Sequence, residues 1–164
     1  MVVFDDILKA NADYAASFDF AGFDGIARAG VAIVTCMDSR IDPLAMLGLK
    51  PGDAKILRNP GGRVDDLTLD ALVISVHMLQ VTRIMVVPHT RCAVASNSEA
   101  VLRERLDASA GQDTSWLTLP VTDGQDAALA ADVRRVRAHP LIGGRAEVGG
   151  FIYDVDSGLL TQKV

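Results

Sequence analysis

Apolar residues fall into two patterns along this chain: one-sided runs at helical spacing, and short unbroken runs of branched residues. Phe4, Ile7, Leu8, Tyr14, Ala15 and Phe18 share one side of a helical wheel, which predicts an amphipathic helix over about 4–18. The run GVAIVTC at 30–36 is short and branched, the mark of a strand buried on both faces. DPLAMLG at 42–48 opens with aspartate at a cap position and proline at the first helical position, so a helix is expected to begin there. AKILRN at 54–59 predicts a second strand, closed by the turn NPGG. LTLDALVISVHMLQ at 67–80 predicts a helix that is apolar nearly all round, and therefore buried or at an interface. RIMVVPHT at 83–90 predicts the third strand.

Beyond residue 90 the pattern continues. SNSE at 96–99 has the spacing of a capping box and predicts a helix to about Leu106. SWLTLPV at 115–121 reads as a short strand. DGQDAALAADVRRVRAHP at 123–140 places acids first, arginines last and a proline stop, matching the helix macrodipole. GGFIYDVDSG at 149–158 predicts a strand with a turn at its end. Strands alternating with helices imply an α/β domain around a mostly parallel sheet. With no repeat, linker or low-complexity tract, residues 1–164 are expected to form a single domain with its own core.

Composition narrows the function. The chain is 49% apolar and 23% charged, as a soluble globular domain would be. A net charge of −5 argues against a general binder of nucleic acid or membrane surfaces. No apolar run approaches the roughly 18 residues that span a bilayer. The opening MVVFDDILKANADY lacks a signal-peptide core, so a cytoplasmic location is expected. Of two cysteines, Cys36 and Cys92, neither lies in a CxxC pair, which excludes a thioredoxin-like redox site.

Candidate chemistry sits at two predicted strand ends. In VTCMDSRIDP, Cys36, Asp38 and Arg40 stand two apart, a spacing that in an extended chain points all three to one side. The third strand ends in PHTRC, which carries His89 and Cys92. Ligand sites of open α/β sheets form beyond the carboxyl ends of the strands, where both segments fall. Two cysteines and a histidine are a good Zn²⁺ set, and three protein ligands leave a fourth position open for chemistry. Asp38 can fill that position or orient a bound water, and Arg40 can hold Asp38 ionised. His77, within the apolar helix, reads as a core or interface residue, and His139 as a cation closing an arginine-rich helix.

The combination CMDSR (36–40) and HTRC (89–92), with 52 residues between Cys36 and His89, resembles the β-class carbonic anhydrases, whose signatures are C-x-D-x-R and H-x-x-C. RNPGG (58–62) is similar to that family's RNAGG, and FIYDVDSGLL (151–160) to its closing strand. The resemblance implies a mostly parallel sheet with one antiparallel edge strand and helices on both faces. It implies Zn²⁺ held by Cys36, His89 and Cys92, with Asp38 and Arg40 as a catalytic dyad and Asp38 able to ligate the metal. The implied reaction is reversible hydration of CO₂ to bicarbonate. It also implies a homodimer or homotetramer, built in part by the N-terminal helix lying on a partner. The chain departs from the family at Arg91 and Ala93, where H-x-D-C-G is usual, and at Pro60. Ala93 would strain the backbone if that position needs a positive φ.

Other readings place the chemistry elsewhere. A cysteine hydrolase using Cys36 and His89 leaves Cys92 without a role, and a phosphatase loop needs Cys-x₅-Arg, whereas Arg40 follows Cys36 by four. Hydrolysis of CS₂ or COS on the same zinc scaffold, and a zinc-binding homologue without turnover, both stay open. Two thiolates cancel the formal charge of Zn²⁺, so a coordinated water is expected to be less acidic than the roughly pKa 7 of three-histidine sites. Hydration activity should therefore rise on the alkaline side of neutrality. A pH–rate profile already flat from about pH 6.5 would contradict this.

Overall fold

Val31, Ile33, Val34 and Thr35 are β-branched, and such side chains pack best on a pleated surface. In the computed structural model, which describes residues 3–164, they form β1 (Val31–Cys36), buried along its whole length. Parallel partners flank it: β2 (Ala54–Asn59) on one side and β3 (Arg83–Val87) on the other. Next come β4 (Glu147–Tyr153), parallel to β3, and the edge strand β5 (Leu160–Gln162), antiparallel to β4. The order β2-β1-β3-β4-β5 is thus a mostly parallel sheet with one antiparallel edge.

Strand alternation divides the core between two faces. Ala32 and Val34 of β1 and Ile84 and Val86 of β3 pack with Leu69 and Leu72 of α2 (Asp66–Met78) and Leu129, Val133 and Val136 of α4 (Gln125–Ala138). Val31, Ile33 and Val87 face the other way, against Met46, Leu47 and Leu49 around a 3₁₀ turn, Ala45–Leu47. Completing the helices are α1 (Asp5–Ala15), which buries none of its residues, and α3 (Glu99–Ala110). Edge-to-face contacts run along Tyr14, Phe18, Phe20 and Phe23, and Arg28 lies over the Phe23 ring, which ties the segment after α1 to the body.

The structure corrects several local expectations. Residues 115–121 form no strand: Leu117 closes a turn on the Thr114 carbonyl, Arg103 binds the carbonyls of Thr114 and Leu117, and Trp116 is exposed. The helix cap is Ser98, not Ser96, since its Oγ accepts from Val101 N, and the helix continues to Ala110. Asp42 caps as expected, accepting from the amides of Leu44 and Ala45. Only a 3₁₀ turn follows, ended by Gly48 in the left-handed region. Helix α2 is not enclosed: Leu67, Ile74 and Met78 are exposed while Leu69 and Leu72 are buried.

One close approach ties the sheet to the site. Asn59, Pro60, Gly61 and Gly62 form a β-turn in which Gly62 N donates to Asn59 O. Proline suits its second position, and Gly61, at φ +83°, suits its third, the arrangement of a type II turn. No donor is missed at Pro60. Gly62 then packs its backbone on the end of β1, where an added Cβ would lie 2.9 Å from Cys36 N at a φ of +64°. Any side chain there would push β1 and Cys36 out of place.

Candidate metal centre

The chain leaves β1 toward β2 on one side and leaves β3 toward β4 on the other, which opens a crevice at the carboxyl ends of β1 and β3. Cys36 is the last residue of β1, and His89 follows β3 by two. Cys92 lies one turn further on. All three are buried, and one ligand atom of each lies within 4.8 Å of the others.

The donor set fits a metal ion. His89 Nδ1 donates to the Thr90 carbonyl at 2.8 Å, which fixes the proton on Nδ1 and leaves Nε2 as the lone-pair nitrogen. That Nε2 is fully buried and has no hydrogen-bond partner among the described residues. An orphaned imidazole nitrogen facing two buried sulfurs is costly unless something binds it. Gly61 N donates to Cys36 Sγ at 3.3 Å, which helps to fix where that sulfur sits.

Asp38 and Arg40 meet beside this cluster, although not by strand alternation. β1 ends at Cys36, and residues 38–41 form a turn in which Asp38 Oδ1 accepts from the Arg40 amide at 2.9 Å and Ile41 N donates to Asp38 O. The turn folds the guanidinium back, so that Arg40 Nε and Nη2 grip Oδ1 and Oδ2 at 2.9 and 2.7 Å. This two-pronged bond, helped by the Arg40 amide and offset by some burial, holds the Asp38 carboxyl well below the usual carboxylate range. The same bond raises the Arg40 guanidinium. Asp38 Oδ2 lies 3.7 Å from His89 Nε2. Cys36, Met37, Asp38, Pro60, Cys92, Ala93 and Val94 line a pocket of about 200 Å³ with mostly apolar walls.

Backbone carbonyls hold the loop of His89 and Cys92. Those of residues 89, 90 and 91 accept in turn from Gln125 Nε2 (2.8 Å), His89 Nδ1 (2.8 Å) and Arg40 Nη2 (3.2 Å). Arg58 performs the same task on the first loop, donating to Cys36 O at 2.9 Å and Asp38 O at 2.6 Å. The structure therefore brings together Cys36, Asp38, Arg40, His89 and Cys92, as the sequence predicts, and adds Arg58, Gly61 and Gln125. Arg58 and Gly61 lie in the RNPGG segment that the sequence already marks, whereas nothing near Gln125 announces its role. His77 bonds the Leu141 carbonyl from the exposed side of α2, and His139 caps α4 and accepts from Leu141 N, so both stand outside the site.

Sequence comparison matches residues 31–132 to the family model described as carbonic anhydrase. β-Carbonic anhydrase 1 of Mycobacterium tuberculosis is 31% identical over 166 residues, covering 99% of this chain and 98% of that one. The chain belongs to the β-carbonic anhydrase family. A carbonic anhydrase crystal structure from Streptococcus mutans superposes with a TM-score of 0.89 at 35% identity, covering 100% of this chain and 99% of that one. A protein named carbon disulfide hydrolase, from an Acidianus strain, is 29% identical over 79% of this chain and 75% of its own length.

Two departures from the β-carbonic anhydrase signature now have a geometry. The positive φ falls on Arg91, at 53°, and not on Ala93. An arginine in the left-handed region is less at ease than the aspartate it replaces. Its side chain leans away from the sulfurs and pairs with Asp156 at the exposed turn after β4. Arg91→Asp in this chain therefore sets a carboxylate against Asp156. The further change Asp156→Ala should recover up to about 1 kcal/mol of stability at low ionic strength, and less in high salt. Chemical denaturation of the single and double variants checks this, and equal stabilities at low salt would show the pair to be electrostatically silent.

Proposed function

We propose that this protein binds one Zn²⁺ through Cys36 Sγ, His89 Nε2 and Cys92 Sγ and catalyses CO₂ + H₂O ⇌ HCO₃⁻ + H⁺. The observation that carries the reading is the orphaned, buried Nε2 facing two sulfurs, with an arginine-gripped carboxylate 3.7 Å away. Family membership supports it.

A bound Zn²⁺ in such a site acidifies water and so supplies a nucleophile near neutral pH. The chain's own residues do the rest. Because Arg40 keeps Asp38 ionised, Oδ2 can only accept a hydrogen bond, here from the proton of the nucleophile, and so aims its lone pair away from the carboxylate. Because its carboxyl is held well below the usual carboxylate range, activity lost between neutrality and mild acid does not come from protonation of Asp38. Met37, Pro60, Ala93 and Val94 give CO₂ an apolar berth and keep bulk water from the reacting carbon. Arg58 and Gln125 hold the two ligand loops still during turnover.

A second reading, hydrolysis of CS₂ or COS, gains support from the likeness to the carbon disulfide hydrolase, since these are also small linear molecules with an electrophilic carbon. Sulfide release would distinguish it. The reading also includes a homo-oligomer. Helix α1 and its cap residue expose Phe4, Ile7 and Leu8 along a surface that no other described residue covers, and α2 exposes Leu67, Ile74 and Met78.

Metal analysis of the purified protein is expected to give one zinc per chain, and stopped-flow assay to show CO₂ hydration. Cys92→Ser should lose most of the zinc, whereas His77→Ala should keep it. Full retention in the Cys92 variant would sink the site, and full zinc without hydration would select a binding protein instead. Sedimentation at micromolar concentration is expected to show a dimer or larger, and a clean monomer would overturn the oligomer.

A further inference from the structure

Thr90 has every polar group engaged, although it is neither a proposed ligand nor part of the dyad. Its amide donates to Tyr153 O at 2.9 Å. Its hydroxyl donates to Asp154 Oδ1 at 3.1 Å and accepts from Val155 N at 3.1 Å. Its carbonyl accepts from His89 Nδ1. The strand alongside is continuous with this arrangement, since Tyr153 N donates to Pro88 O and His89 forms an isolated bridge with Tyr153.

Asp154 is equally committed. Oδ1 accepts from the Asp156 amide at 3.0 Å as well as from Thr90, and Oδ2 accepts from Ser157 Oγ at 2.8 Å. Its own amide and carbonyl close the turn, to Leu159 O and from Gly158 N. The carboxylate therefore sets the shape of the β4–β5 turn, and the turn grips Thr90. Anchored by its amide and its hydroxyl, Thr90 holds its own carbonyl where His89 Nδ1 reaches it.

That carbonyl decides which nitrogen of His89 carries the proton. With the Thr90 carbonyl held in place, Nδ1 is the donor and Nε2 is left bare toward the two sulfurs. Resting on the assignment of His89 as a metal ligand, we propose that Thr90 and Asp154 form a latch that fixes the tautomer and aim of the His89 ring. They are positioning residues, and they act through the Thr90 carbonyl. A hydroxyl and a carboxylate that merely closed the turn would stabilise the fold without touching the metal.

Zinc affinity and the imidazole tautomer separate the two roles. The full-length wild type, Thr90→Val, Thr90→Ser and Asp154→Ala are titrated with Zn²⁺ against a chromophoric chelator. The tautomer of His89 is read in each zinc-free protein by long-range ¹H–¹⁵N NMR. Thr90→Val, which keeps the shape and loses the hydroxyl, is expected to weaken zinc by on the order of 10–100-fold and to show mixed tautomers. Thr90→Ser, which keeps the hydroxyl, should match the wild type. Asp154→Ala should follow Thr90→Val, and the double variant should be no weaker than the worse single one, because both cut the same connection. Wild-type affinity and a pure Nδ1–H tautomer in Thr90→Val and Asp154→Ala would overturn the latch. Should Thr90→Val fail to fold, Asp154→Ala in the half-exposed turn decides alone. A wild type that binds no zinc would overturn the metal assignment instead, and the tautomer readout would still judge the latch.

Discussion

The parallel pairing of β1 with β3 is the constraint on which the rest depends. Their register sets Thr35 opposite Val87, so the two chains run out of the sheet side by side, with Cys36 ending one and His89 following the other. Adjacent strands lie about 4.8 Å apart, close enough for side chains from two neighbouring strand ends to converge on one point. The Thr35 hydroxyl reinforces the junction with a buried bond to Val87 O at 2.7 Å, one residue before the site begins. Because the neighbouring strands β2 and β4 are also parallel, the loops after them reach the same edge. That is why Arg58 from β2 and Asp154 after β4 can both act there.

Such a junction carries a cost. A buried imidazole nitrogen without a partner destabilises a fold by about 1–3 kcal/mol, and two buried sulfurs add to it once they ionise. A ligand that satisfies all three at once couples its binding to folding. The surrounding bonds keep the donors from collapsing onto one another meanwhile. Three consecutive carbonyls are tied to Gln125, His89 and Arg40, and the guanidinium of Arg40 serves both its carboxylate and the far loop. Asp38 and His89, brought from opposite sides of the crevice, are thus fixed relative to each other through one side chain.

What the sequence discloses here follows from the range of the interactions. The strands and the Cys36, His89 and Cys92 cluster are legible because branched runs and rare residue types are local signals, Cys36 ending β1 and the other two following β3. The dyad is legible for a different reason than its spacing suggests, since an aspartate turn and not an extended chain brings Arg40 back to Asp38. SWLTLPV reads as a strand because Leu117, Leu119 and Val121 alternate with no partner in view; in the fold the segment meets Arg103 and turns. Gln125 and Asp154 stay silent because their partners, His89 and Thr90, are 36 and 64 residues away. No periodicity or cap marks a contact of that kind.

The positions at which this chain leaves the β-carbonic anhydrase signature share one property: none offers a side-chain donor to the buried Cys36, His89 and Cys92 cluster. Arg91 gives its carbonyl to Arg40 and sends its side chain outward to Asp156. Pro60 occupies the second place of a turn that needs no donor from it, while Gly61 beside it does supply an amide to Cys36 Sγ. Ala93 offers its carbonyl to Asn97 Nδ2 at an ordinary φ. Replacing such a residue changes charge or bulk at the rim while leaving the peptide planes where they were. Gly62 shows the opposite case, because there the missing side chain is itself the requirement. Tolerance at this site therefore follows which atoms of a residue are in use, and a charge reversal between His89 and Cys92 is compatible with their buried cluster with Cys36.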